Sequence, residues 1–234
     1  KKFSYLSFIN FKQGDGFREN SGFESINTYN YLKYKINNKI WLSTEFTYLN
    51  YIAQQAGGLS DQMFREDHFQ SNRSRNWFQV NWMLYNLYIN FKASSTKTIS
   101  FNLFGLDAER DALGFRTNRV SQVDSGDERD LIKGDFNNYG FELKYLSRYK
   151  INSKKSNLLL GTKFYKSDNS SRQGPGSSNN DADFNFYTDE FPNYNNQSMY
   201  KYPNLNIAFF GENLFYINKR LSITPGFRIE HIKT

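Results

Sequence analysis

The chain has 234 residues, 38% of them hydrophobic, and a mean hydropathy of -0.75, which is enough apolar material for only a thin soluble core. No run approaches the roughly eighteen apolar residues that a membrane helix needs, so a transmembrane helix is excluded, whereas a transmembrane β-barrel, whose strands alternate lipid-facing and lumen-facing side chains, is not. The absence of cysteine excludes disulfides and thiolate metal sites. The net charge of +7 comes from basic residues dispersed among strands and turns rather than gathered with stacking aromatics, which argues against nucleic-acid binding.

In chain order the sequence predicts nine strands. Residues 3–12 form the first, followed by a loop over 13–23 that contains the turn signal "QGDG". Strands over 24–36 and 39–51 meet at Asn37 and Asn38, a pair able to take positive φ. They put Leu32, Tyr34, Ile36, Ile40, Leu42 and Phe46 on one face and Lys33, Lys35, Ser43, Glu45 and Thr47 on the other. A loop over 52–75 leads to a hairpin with arms at 77–91 and 98–106. Its first arm changes phase midway, from Phe78, Val80 and Trp82 to Tyr85, Leu87, Ile89 and Phe91, which predicts a bulge near Met83 and Leu84. A loop over 107–135 precedes strands at 136–149 and 157–167, and a loop over 168–202, dense in Ser, Asn, Asp and Gly, precedes strands at 203–216 and 221–232. Tyr48, Tyr51, Tyr145, Tyr149 and Trp77 lie near strand ends and suit an interfacial girdle.

Long loops alternate strictly with short turns, as in a meander with two unlike ends; in outer-membrane barrels the short turns are periplasmic and the long loops extracellular. The four long loops together carry a charge of -7 against +7 for the whole chain, so the basic residues concentrate in strands and near short turns, as with Lys35, Lys39, Lys92, Lys97, Lys150, Lys154, Lys155, Lys219 and Arg220. The fold class is therefore an all-β, antiparallel, up-and-down transmembrane barrel segment. Nine strands do not close a bacterial barrel, because single-chain barrels have an even count, and the chain starts at Lys1 without Met or signal peptide. Both features suggest a processed or partial chain.

Three segments carry a resemblance: "AGGLSDQMFREDHFQSNRSRNWF" (56–78), "FGLDAERDALGFR" (104–116) and "FGENLFYINKRLSITPGFRIEHI" (210–232). They resemble the barrel of TonB-dependent outer-membrane receptors. The third segment is general to that superfamily, while the first two point to the ferric dicitrate branch. The resemblance implies that residues 1–234 are part of a single barrel domain of about 22 strands, with the plug domain absent from this chain. It also implies active import of a ferric chelate, such as ferric citrate or another siderophore, across the outer membrane. Its partners would be outer-membrane lipid and lipopolysaccharide, the anionic chelate, and a TonB-type energy-coupling protein acting through the plug. No cofactor and no enzymatic chemistry are implied, since iron arrives already chelated.

The loop arginines supply the candidate site, because guanidinium forks suit the carboxylates of an anionic chelate. Arg73 and Arg75 are the first choice, just above the strand that starts at Trp77; Arg116 and Arg119 follow, with Gln54 and Gln55 as hydrogen-bonding groups, and Asn72 and Gln79 as further ones. His68 and His231 lie in separate elements and suggest neither a zinc site nor a catalytic triad. The acidic runs over 124–130 and 179–190 lack calcium-loop spacing and read as solvated loop. Alternatives are an importer of another nutrient, a porin-like or structural barrel, and a soluble β-rich adhesin.

Overall fold

The computed structural model describes residues 2–117 and 119–234; Asn118 lies outside them. The strands are β1 (Phe3–Gly14), β2 (Phe23–Lys35), β3 (Ile40–Gln54), β4 (Trp77–Lys92), β5 (Lys97–Gly114), β6 (Asp130–Ile151), β7 (Lys154–Pro175), β8 (Ser198–Tyr216), β9 (Ser222–Ile223) and β10 (Gly226–Lys233), with one short helix, α1 (Asp61–Glu66). All pairings are antiparallel, and the sheet follows chain order from β1 to β8 and then β10, with β9 also on β8. The ten strands correspond to the nine expected. β9 and β10 share one register on β8 and are divided at Pro225, which has no N–H to give to the ladder. Asn213 on β8 still donates its N–H to the Pro225 carbonyl at 3.0 Å, so the ladder loses one bond there and resumes at Gly226.

Every ladder is continuous, and no bulge interrupts β4 at Met83 or Leu84, which pair with Tyr48 and Thr47 on one side and Asp107 and Leu106 on the other. The phase change in β4 has a different cause. Opposite residues in an antiparallel ladder share a face, so Ile99, Phe101 and Leu103 lie in rows with Phe91, Ile89 and Leu87, and with Tyr145, Leu143 and Phe141. Those rows continue to Leu160, Thr162 and Phe164, then to Phe209 and Ile207, and to Phe227 and Ile229. The opposite face over the same height carries Lys33, Glu45, Glu142, Lys144, Lys163, Arg228 and Glu230. Hydrocarbon accepts only the first of these faces, so the first is the outer wall and the second lines the lumen.

Above this band the outer face turns polar: Asp107, Glu109 and Asp111 on β5 pair with Asn137, Asp135 and Lys133 on β6, which pair with Asp168, Ser170 and Arg172 on β7. The inner face turns apolar at the same height, with Phe78, Val80, Trp82, Leu106, Ala108 and Phe136. A membrane strand needs about 9–11 residues, whereas β6 and β7 have 22 each. Their upper parts therefore stand clear of the bilayer, and there the medium against the outer wall is water.

There is no soluble-type core. Among the described residues the buried apolar side chains are four alanines, Leu113 and Leu131, while Leu143, Leu160 and Ile223 are exposed on the outer face. The short connections lie at one end, over residues 36–39, 93–96, 152–153 and 217–221, and the long ones at the other, over 15–22, 55–76, 115–129 and 176–197. Positive φ occurs at Asn152 (47°) and Ser153 (65°), not at Asn37 or Asn38. Asn37 instead accepts the N–H groups of Lys39 and Ile40 on its Oδ1, an Asx turn that needs no left-handed residue. Tyr48, Tyr145 and Tyr149 face outward as girdle residues. Tyr51 faces inward against Phe78, with ring centres 6.4 Å apart, and Trp77 stands above the band, its indole N–H donated to the Asn180 carbonyl.

Candidate functional site

The long loops are stitched to one another in chain order by arginines that donate to backbone carbonyls. Arg18, in the first loop, donates to the carbonyls of Gln70 (2.9 Å), Gly57 (2.7 Å) and Ala56 (3.3 Å) in the second. Arg75 ties the second loop to the third, with both sides of its fork on the Asp124 carboxylate and NH1 on the Gly126 and Asp127 carbonyls. NH1 also reaches the Ser178 carbonyl of the fourth loop at 2.7 Å. Arg129 is fully buried. It donates from Nε to the Ser177 carbonyl, from NH1 to the carbonyls of Arg75 and Asp181, and from NH2 to Ser177 Oγ. Guanidinium supplies five N–H donors in a fixed fork, which suits clusters of loop carbonyls that lack other partners.

Two carboxylates in this region are shifted in opposite directions. Burial alone would raise the Asp124 carboxyl, but the Arg75 hydrogen bonds, the Gly126 N–H and the charges of Arg75 and Arg73 outweigh it and hold it below its ordinary value. Asp111 lies above the bilayer on the outer face, 1% exposed. Its burial outweighs the attraction of Lys133, 3.6 Å away, and pushes it up to about 6. Its Oδ1 has no partner among the described residues.

The sequence-predicted site residues fall into separate environments. Gln55, Arg73 and Arg116 line one cleft of about 310 Å³ at the long-loop end, with Asn72, Asn76 and Phe115. Arg73 is mostly buried there; it donates to the Asn72 carbonyl and lies 5.2 Å from the Phe115 ring centre. Arg116 is exposed, and its charge reaches Asp130, whose carboxyl is nevertheless raised by burial. Arg119 is exposed beyond the cleft. Neither Arg116 nor Arg119 forms an ion pair among the described residues. Gln54 and Gln79 belong to the outer-face rows, beside Trp77 and Asp111 respectively, and point away from the cleft. Arg75 is 6% exposed and spends its donors on loop–loop bonds.

Sequence reasoning passed over Arg18, Arg129 and α1. The helix had a local signal: Ser60 caps it by accepting the Met63 N–H, with Asp61 in the first turn. The arginines had none, because their acceptors are backbone atoms 38 to 54 positions away. His68 packs on Phe69, ring centres 4.1 Å apart, and no cluster of three or more metal-ligating side chains occurs among the described residues.

No family model matches the sequence, and no curated protein matches it. Solved structures do. The chain superposes on the unliganded ferric citrate transporter FecA with a TM-score of 0.81 at 18% identity, over 99% of this chain and 32% of FecA. The chain has the fold of a length of β-barrel wall. P. aeruginosa FpvA, bound to heterologous pyoverdines, gives a TM-score of 0.74 at 8% identity over 99% of this chain and 33% of its own. The RagAB peptide transporter gives 0.62 at 10% identity over 99% and 30%. The likeness is one of fold, and the wall spans about a third of each of these proteins. They are transporters and receptors rather than enzymes.

Proposed function

We propose that this wall belongs to an outer-membrane, TonB-dependent importer of an anionic ferric chelate, with the long loops extracellular and the short turns periplasmic. The observation that carries the reading is sidedness. One face is apolar over a band of bilayer height and charged above it, the other lines a polar lumen, and the wall matches a ferric citrate transporter over 99% of its length. The cleft supplies a first contact for the ligand: Arg116 presents an exposed guanidinium to carboxylates, Arg73 adds charge from below, and Gln55 offers a carboxamide. A plug domain, and through it a TonB-type energy-coupling protein, are the partners this reading requires.

Uptake of radioiron citrate by iron-restricted bacteria carrying the complete receptor tests it. Loss of one charge-assisted contact is worth roughly tenfold in affinity, so Arg116→Ala raises the half-saturating citrate concentration by about that factor while leaving receptor abundance unchanged. Wild-type receptor that takes up no ferric citrate sinks the chelate assignment. Competition by peptides instead supports the alternative of another nutrient, in line with the shared fold of a peptide transporter.

A further inference from the structure

At the short-turn end the β6–β7 turn and the β8–β9 connection lie side by side, because β7 and β8 are hydrogen-bonded neighbours. Two adjoining hollows, of about 600 and 180 Å³, open between them and share Lys154, Lys155 and Tyr216. The floor is apolar, from Ile151, Phe215 and Ile217, and Lys219 completes a cationic rim. Lys154 donates to the Ile217 carbonyl, which joins the two turns. No Asp or Glu occurs over residues 143–167 or 213–229, and none of these lysines is in an ion pair among the described residues. The rim therefore has unspent positive charge.

Its height fits a bilayer surface. Tyr149, an outward girdle residue whose hydroxyl donates to Asn213 Oδ1 at 3.0 Å, lies only a few residues from the turn. At about 3.3 Å per residue the lysine heads stand roughly 10 Å past the girdle, among headgroups. Ile151, Ile217 and Leu221 are exposed beside them, and apolar side chains there would meet acyl chains. An anionic headgroup with acyl chains matches both halves of the groove, whereas a soluble acidic partner leaves the isoleucines in water.

We propose that this groove binds the phosphate of an anionic glycerophospholipid in the leaflet facing the short turns, with Lys154 and Lys219 on the headgroup and Ile151 and Ile217 against the chains. The proposal rests on the membrane placement given above. Each lysine near an anionic surface contributes modestly, and the two together are worth roughly thirtyfold in lipid retention.

The test uses the complete receptor in nanodiscs of phosphatidylethanolamine with added phosphatidylglycerol, followed by native mass spectrometry of the lipids retained after mild delipidation. The wild type keeps phosphatidylglycerol in preference to phosphatidylethanolamine. Lys154→Gln and Lys219→Gln combined remove that preference, while Lys92→Gln with Lys97→Gln, on another short turn, keeps it. Equal retention of the two lipids by the wild type, or an unchanged preference in the variant lacking Lys154 and Lys219, overturns the proposal. Co-sedimentation with peptidoglycan that the same variant loses, without any lipid preference, overturns it in favour of a cell-wall partner. Failure of the wild type to enter nanodiscs at all contradicts the membrane placement itself.

Discussion

The lower and upper parts of β5 differ in what surrounds them and in little else. From Thr98 to Leu103 the odd positions are apolar and the even ones polar; from Asp107 to Ala112 the odd positions are acidic and the even ones include Ala108 and Ala112. The pairing with β4 and β6 is unbroken across the change, so the backbone does not report it. What changes is the medium outside the wall, hydrocarbon below and water above. A phase switch in hydrophobic pattern thus marks the edge of the bilayer and not a fault in the strand.

The sharpest way to break this comparison is to put the same charge on the same face at two heights. Leu103→Arg places a guanidinium in the hydrocarbon band at a cost of about 2–4 kcal/mol, and should abolish or severely slow assembly, read as loss of the folded form on unheated gels. Glu109→Arg, six residues along the same face, should assemble normally. Equal effects at both positions would erase the distinction between the two parts.

Within the upper part the loops depend on their buried arginines. Arg129→Met leaves the Arg75 and Asp181 carbonyls without their partner, a cost of about 1–3 kcal/mol for each group left unsatisfied. Hydrogen exchange should rise across residues 176–187 while the band strands keep their protection. Arg75→Ala should loosen the same region together with residues 124–127, so any loss of uptake it causes has to be separated from loop unpinning. Arg116→Ala serves as the cleaner probe of ligand contact.

A pH titration sharpens the contrast further. Asp111 has its folded-state pKa raised to about 6, so its burial opposes folding at neutral pH. That penalty is relieved as the pH falls through about 6 toward the ordinary carboxylate range near 4. Asp124 is lowered; its stabilisation is present above the ordinary value and is lost only as the pH falls through its depressed one. Local stability of the upper part should therefore rise between pH 7 and about 5, and Asp111→Asn should flatten that rise; a rise that persists in the variant assigns it to another group. The smallest effect is at Arg119, exposed and outside any ion pair among the described residues, where Ala should change stability by less than about 0.5 kcal/mol.

The sequence made the band legible because period-2 alternation survives wherever one face meets lipid and the other water, as in 98–106 and 157–167. It hid the strand extensions at 107–114, 130–135 and 168–175. There, acidic outer faces and small or polar residues such as Gly134, Ser170 and Ser171 resemble loop, and what holds the strands is their neighbours' backbone. Residue type pointed to arginines in the loops, but type does not distinguish Arg116, which is exposed, from Arg75, which is buried among carbonyls from two other loops. That distinction is set by contacts across about 50 to 100 positions.

The most direct measurement is a nitroxide scan along residues 98–114 of β5 in the complete receptor, reconstituted in bilayers, with oxygen and a water-soluble nickel chelate as relaxation agents. Residues 99, 101 and 103 should be accessible to oxygen and shielded from nickel, with 107 and 109 reversed and 100 and 102 shielded from oxygen throughout. Oxygen accessibility at 100 and 102, or its persistence at 107 and 109, would contradict a wall whose outer face passes from hydrocarbon to water at Asp107.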